Sequence, residues 1–356
     1  MPRSRATRLA ARLSYTSVAL WIGLLGCFLV LTNTASAWPS AFPQQSLQST
    51  AELVKVAVSV ADGHGNFLSG LAQQDFRIFE NGVEEPVTFF VPPDAPAQIL
   101  VMIETGPAVY LIHDEHLAAA YSLVAGLDPA DQVALVTYDQ APRTILAFTA
   151  EKSSLLSAIG GIEYNIGMAE LNFYQSLSEV LDWLDATPGK RAIVLLTTGL
   201  DSSQPPRWDA LADKLRRDDV VIFPVALGGP LRSATKPKRQ KLEKIPGGQS
   251  EASPSSSAAA NPVSFARADQ DLRALASITG GRAYFPQSSN DFVPIYREIA
   301  AALRHQYVLG FVPSHDAKYH SISVEVALSN GHFPKPGQKN VPYRVFARAG
   351  YLAPGP

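Results

Sequence analysis

The sequence predicts an α/β protein: a doubly wound, mostly parallel sheet, with a small discontinuous β-sandwich built from its N- and C-terminal segments. Three observations carry that expectation. Gln98-Ile99-Leu100-Val101-Met102-Ile103-Glu104-Thr105-Gly106 holds five apolar residues in a row, closed by a carboxylate and a glycine. This is the pattern of a strand buried on both faces of a parallel sheet. Comparable runs at 133–137, 192–196 and 220–225 are separated by amphipathic helical stretches, the alternation of a doubly wound fold. Short β patterns flank this alternation on both sides; isolated hairpins are marginal, so the two groups are expected to pack together.

The chain has 356 residues, 46% hydrophobic and 17% charged, an ordinary globular composition. Arg3, Arg5, Arg8 and Arg12 precede an apolar run over 18–31 and then Ala35-Ser36-Ala37, and the first acidic residue is Glu52. That order is an n-region, an h-region and an A-x-A cleavage site. Residues 1–37 are therefore expected to be a signal peptide, with a mature start at Trp38; the alternative is an uncleaved anchor. The one cysteine, Cys27, follows Leu24-Leu25-Gly26, but Phe28-Leu29-Val30-Leu31 keeps the run apolar where a lipoprotein would turn polar. A mature chain without cysteine has no disulfide, thiolate ligand or cysteine nucleophile. The expectation is an exported protein, whether periplasmic, secreted or envelope-associated, touching a membrane only through an uncleaved leader. Removing the four leader arginines leaves 26 basic residues against 32 acidic, a net charge near −6. An acidic body argues against nucleic acid, whose binding draws on clustered Lys and Arg.

In the N-terminal β segment, 51–92, Val54, Val56, Val58 and Val60 alternate with Lys55, Ala57 and Ser59, predicting a strand with one buried face. Asn81-Gly82, between 76–79 and 87–90, predicts a type I′ hairpin because both turn positions accept φ > 0. The α/β domain is expected over 97–305. Leu117, Tyr121, Val124 and Leu127 form one helical stripe, and Tyr174, Leu177, Val180, Leu181 and Leu184 another. Residues 143–148 read as an edge strand hairpinned to the one before, and Pro224 suggests a bent or poorly paired end to its strand. Over 229–264, basic residues beginning at Arg232 give way to a Ser/Ala/Pro tract, which buries too little to order itself. It is expected to be a disordered surface insertion. A helix around Leu272 and Ile278, capped by Gly280-Gly281, a strand over 282–285, and a last helix carrying Phe292, Tyr296, Ile299 and Leu303 complete the domain. The C-terminal β segment, 306–352, is expected to pack with 51–92.

The motifs then resemble a von Willebrand factor A-type domain, and more closely the bacterial VWFA-related family first described from acidobacteria. Leu71-x-x-x-Asp75-Phe76-x-x-Phe79-Glu80-Asn81-Gly82 is similar to that family's stretch before the A domain. Thr279-Gly280-Gly281-Arg282-Ala283-Tyr284 and Gln306-Tyr307-x-Leu309-Gly310-Phe311 are similar to its later landmarks, and Arg348-x-Gly350-Tyr351 to its closing motif. The resemblance implies a domain that binds a partner protein, often through a divalent cation held by Asp-x-Ser-x-Ser, a later Thr and a further Asp. Here those places read Glu104-Thr105-Gly106-Pro107-Ala108, Ala169 and Thr198. One carboxylate and one hydroxyl do not make the oxygen shell that Mg²⁺ or Ca²⁺ requires. The metal residues are therefore not carried over, and no cofactor is expected.

The function expected is a non-enzymatic binding module for an unknown protein partner. Its face lies beyond the carboxyl ends of the strands, at Glu104, Thr105, Gly106, Ala108, Ala169, Glu170, Thr198 and Asp201. The alternative is a metal-dependent adhesion domain with a cation site rebuilt from Glu104, Glu170, Thr198 and Asp201. A third reading is a hydrolase using Glu104 or the His113/His116 pair; His113 and His116, at i and i+3, could also share a helix face as metal ligands. The reading preferred for them is a solvated first helical turn. No G-x-S-x-G elbow, P-loop or H-E-x-x-H occurs in the sequence.

Overall fold

The computed structural model describes residues 53–110, 113–165, 167, 170–203, 207–229, 232, 265–327 and 343–356, without the side chains of Pro107, Ala108 and Glu115. The expected leader, Ala169 and nearly all of the 229–264 insertion lie outside the described residues. The described residues all belong to one compact unit.

Its centre is a five-stranded sheet in the order β7-β6-β5-β8-β9. β5 (Ala97–Glu104), β6 (Gln132–Tyr138), β8 (Lys190–Thr197) and β9 (Val221–Ala226) run parallel, and β7 (Pro142–Thr149) pairs antiparallel with β6 as the edge strand. The apolar runs are explained by helices on both faces. Ile99, Val101 and Ile103 point into a core with α2 (His113–Gly126), α3 (Lys152–Gly160) and α7 (Phe292–Arg304). Leu100 and Met102 point into a second core with α4 (Phe173–Leu184), α5 (Trp208–Arg217) and α6 (Phe265–Thr279). A one-turn helix, α1 (Pro107–Tyr110), follows β5.

Two four-stranded antiparallel sheets form the sandwich. One is ordered β12-β1-β10-β4 and the other β13-β11-β2-β3. β1 (Val54–Asp62) pairs with β10 (Tyr307–Phe311) and β12 (Tyr343–Ala347), joining the two ends of the chain. β2 (Phe76–Glu80) pairs with β3 (Val83–Glu85) and β11 (Tyr319–Val326), which also pairs with β13 (Gly350–Leu352).

Several expectations are corrected. The Asn81-Gly82 turn forms, with φ of 49° and 83°, but its second strand is β3. The 87–90 stretch crosses to the other sheet, where β4 (Phe89–Val91) pairs with β10. β1 is buried on both faces: Val56, Val58 and Val60 fill the sandwich, while Ala57 joins the core above the α/β sheet and the Ser59 hydroxyl reaches the Ala302 carbonyl at 3.5 Å. β9 keeps register through Pro224. The Pro224 carbonyl and the Ala226 N–H both bond Tyr284, so the missing proline N–H faces away from β8 and the ladder loses nothing. The expected strand at 282–285 shrinks to a single bridge, Val225 to Tyr284. On α2 the buried stripe is His116, Ala119, Ala120 and Leu123, and Tyr121 is 56% exposed.

The family-like landmarks sit mostly where backbones meet. A Cβ at Gly281 would lie 1.9 Å from the Ile222 carbonyl oxygen, and one at Gly310 would lie 2.9 Å from Phe89 Cβ. Only glycine allows those approaches. Arg348 is buried and donates to the carbonyls of Leu215, Arg216, Asp218 and Gly350. It thereby caps the C-terminus of α5, where unpaired carbonyls accumulate.

Candidate functional site

Chain order reverses at β5: β6 and β7 extend the sheet to one side, β8 and β9 to the other. The carboxyl ends of β5 and β8 therefore form the switch point where ligands bind in such sheets. Glu104 closes β5 there, and Thr197-Thr198 follows β8.

The structure turns Glu104 inward, at 1% exposed. Its Oε2 accepts from the Thr198 N–H at 2.7 Å, Thr198 Oγ1 at 2.8 Å, Thr197 Oγ1 at 3.1 Å and the Tyr138 hydroxyl at 3.2 Å. Tyr138 lies opposite Glu104 in the β5–β6 register, and its hydroxyl is 2.5 Å from Thr197 Oγ1. Burial raises the Glu104 carboxyl above the usual carboxylate range, against the pull of the Thr198, Thr197 and Tyr138 hydrogen bonds. Burial likewise raises the Tyr138 phenol well above its ordinary value, helped by the adjacent Glu104 charge. Tyr138 was missed in the sequence because it ends an apolar run and reads as core.

Thr105 is fully buried, with its N–H and hydroxyl both donating to the Tyr138 carbonyl. Gly106 is buried beside Glu104; a Cβ there would stand 3.2 Å from Glu104 Oε1. Asp201 does not reach back to Thr198. Its Oδ2 accepts the Tyr174 N–H at 2.9 Å in the first turn of α4, and its Oδ1 accepts from the Ser203 N–H at 2.8 Å. Glu170 is exposed, and Ala108 is known only as part of the α1 backbone.

Arg232, expected in a solvated basic loop, is instead 4% exposed. Its guanidinium donates to the Leu227 and Thr198 carbonyls, pairs with Asp269 and covers the Phe265 ring. Burial pushes it down to about 10, while the charge of Glu104 acts to raise it. A positive charge is thus held behind the Thr198 carbonyl by the chain itself. Sequence reading missed it because a single arginine at the edge of a basic tract carries no periodic signal.

The exposed part of this face is its rim. A cleft of about 490 Å³ is lined by Thr137, Asp139, Arg143, Ile145, Tyr164 and Asn165, among others. Arg143 Nη2 donates to Thr105 Oγ1 at 3.3 Å and to Asp139 Oδ2 at 3.2 Å, with half of its side chain exposed. Ile145 on β7 is 47% exposed, and Tyr110 packs edge-on against Tyr164. His113 Nδ1 lies 2.7 Å from the Tyr164 hydroxyl. His116, expected on a solvated turn, is 2% exposed and packs against Phe292, so the two imidazoles serve different places.

A divalent cation needs oxygens with free lone pairs, and Glu104 Oε2 already receives four hydrogen bonds. The described residues hold no group of three or more His, Cys, Asp or Glu able to hold a metal ion. None of their helices is long and apolar enough to cross a membrane.

Residues 114–279 match the family model of the von Willebrand factor type A domain, and the α/β layer has that domain's fold. The matched stretch begins beyond the Glu104 loop. No curated protein matches the sequence. Among solved structures, the chain is similar to a von Willebrand factor type A protein from Catenulispora acidiphila, at 11% identity over 85% of this chain and 75% of that one, with a TM-score of 0.42. It is also similar to an aerotolerance-related membrane protein from Bacteroides fragilis, at 14% identity over 57% and 98%, with a TM-score of 0.41. A third is the vWF domain of the type V pili tip protein Mfa5 from Porphyromonas gingivalis, at 19% identity over 30% and 38%, with a TM-score of 0.27.

Proposed function

We propose that this chain, carrying a von Willebrand factor type A domain, is an exported, non-enzymatic module that binds a partner protein at the carboxyl-end face of its central sheet without a metal ion. The observation that supports this reading is the state of Glu104. In the motif the chain resembles, the first carboxylate faces a cation. In this chain the same position is spent internally on Thr197, Thr198 and Tyr138. The family likeness implies partner binding, and more narrowly the VWFA-related group with a degenerate metal site.

Glu104, Thr105 and Thr198 are buried, so the partner's direct contacts fall to the rim, at Arg143, Ile145, Tyr164 and Glu170. Arginine and tyrosine around a concave surface are the residue types that dominate binding energy at interfaces. A cation site rebuilt from Glu104, Glu170, Thr198 and Asp201 finds no support, because Asp201 is committed to α4 and to Ser203. A hydrolase built on Glu104 or the His113/His116 pair has less support, because Glu104 is bonded to Thr197, Thr198 and Tyr138, His113 to Tyr164, and His116 packs against Phe292.

The test is capture of a partner from an envelope extract by the 38–356 protein, in EDTA and in Mg²⁺. The same partner is expected in both, and it is lost in an Arg143→Glu, Tyr164→Ala double variant that retains its circular dichroism. Capture that requires Mg²⁺, or that survives the double substitution, overturns the reading.

A further inference from the structure

Buried polar atoms without partners are uncommon in folded proteins, and each one calls for a reason. Among the described residues, both ring nitrogens of His116 are buried with no hydrogen-bond partner. The ring lies between α2 and α7, 4.7 Å from the Phe292 centroid and 6.5 Å from that of Tyr296. The two helices nearly touch: a Cβ at Gly126 would stand 2.5 Å from Ala300 Cβ. The seam accepts a neutral imidazole as an apolar filler, but an imidazolium needs an acceptor at each N–H.

We propose that the α2–α7 seam is an acid-released latch and that His116 is its trigger. Neutral, the ring seals the seam against Phe292 and Tyr296. Protonated, it leaves for water and frees the two helices from each other.

The surroundings give the sign. Burial, and then the neighbouring His113 on the same helix, push His116 down to about 3. On α7, burial keeps the facing Tyr296 neutral. α3 contributes the apolar Leu155 and Ile159 to the same core. Tyr164, also held neutral by burial, faces His113. In the open seam the ring returns to its ordinary value of 6.5. The closed form therefore binds fewer protons, and its advantage is complete above 6.5 and lost as the pH falls toward 3. The opening constant rises about tenfold per pH unit across that window, and roughly three-thousandfold over the whole of it. α2 begins at His113, which bonds Tyr164 in the cleft wall, so on the reading above the latch also loosens the partner face.

Hydrogen–deuterium exchange of the full chain tests the latch without a partner, so its failure is separable from that of the proposed function. After correction for intrinsic rates, peptides covering α2 and α7 are expected to gain about tenfold in opening per pH unit below 6.5. Peptides from β5, which open only with the whole molecule, stay better protected than α2 and α7 at every pH, and His116→Leu removes the dependence in α2 and α7. Protection of α2 and α7 equal to that of β5 throughout, or an unchanged dependence in His116→Leu, overturns the proposal. Should the variant fold poorly, NMR titration of the wild-type imidazoles decides: a His116 signal titrating near 6.5 in the closed protein refutes the latch.

Discussion

Replacing Glu104 by alanine asks whether the switch point is part of the core or an open ligand shell. The substitution leaves the Thr198 N–H and three hydroxyls without their acceptor in a site 1% exposed. A buried donor left unpaired costs about 1–3 kcal/mol. Tyr138 and Thr197 keep each other at 2.5 Å, so the unavoidable losses are the Thr198 N–H and hydroxyl. The cost of holding an ionised carboxylate in that place disappears and offsets part of this. A net destabilisation of about 2–3 kcal/mol is expected, read as a lower urea midpoint at unchanged slope. Glu104→Gln should cost less, because the side-chain oxygen can still accept. The pH dependence has a definite sign. The folded carboxyl lies above its ordinary 4.5, so the folded state binds more protons in that interval and gains stability as the pH falls through it. Subtracting the Glu104→Gln curve from the wild-type curve isolates this from His116, whose effect runs the other way. A loss below about 0.5 kcal/mol in Glu104→Ala, or a difference curve with no slope, would refute the reasoning.

Three further outcomes are expected. Arg348→Met removes four hydrogen bonds to the carbonyls at the end of α5 and at Gly350. Four bonds from a charged donor contribute about 6 kcal/mol or more; burial, which lowers that guanidinium from 12.5 to about 10, offsets roughly 3 kcal/mol of this, and a net loss of about 3 kcal/mol or more by chemical denaturation is expected. Gly281→Ala places a carbon 1.9 Å from the Ile222 carbonyl oxygen; the backbone must move, and the cost should exceed about 3 kcal/mol in a thermal melt. Millimolar Mg²⁺, Ca²⁺ or Mn²⁺ against EDTA should move the melting temperature by less than about 1 °C, because a ligand stabilises only what it binds.

The buried strands were legible because sheets covered on both faces need unbroken apolar runs, and such runs survive any detail of packing. The Asn81-Gly82 turn was legible for a local reason, since it needs two residues that accept positive φ. What escaped was set by neighbours. The phase of α2 was misread because its buried stripe includes His116 and the small Ala119 and Ala120, while the large Tyr121 faces solvent. α5 buries only Leu211, Ala212 and Leu215 among charged residues, too little to announce a helix. The second buried face of β1 rests on Ala57 and Ser59, whose size matters only once α7 lies over them. At the strand ends, sequence position placed Glu104 and Thr198, but not Tyr138 and Arg232 beside them. Their roles depend on what meets at the ends of three strands, and no single stretch contains that.

The pairing of β1 with β10 also fixes an order of events during synthesis. Val54 pairs with Phe311, and Val58 with Tyr307, so the strand leaves the ribosome about 250 residues before its first partner. Closing so long a loop is entropically slow, and until then a valine-rich strand stands with both edges open, the kind of segment that seeks other chains. The α/β layer, whose strands lie closer together in sequence, can form first and offer α7 as a platform for the other face of β1. Export of an unfolded chain would prolong the interval. A holding chaperone that recognises this one strand would protect the whole molecule, and a charged residue in place of Ala57 would protect the waiting strand only by spoiling the surface it finally meets.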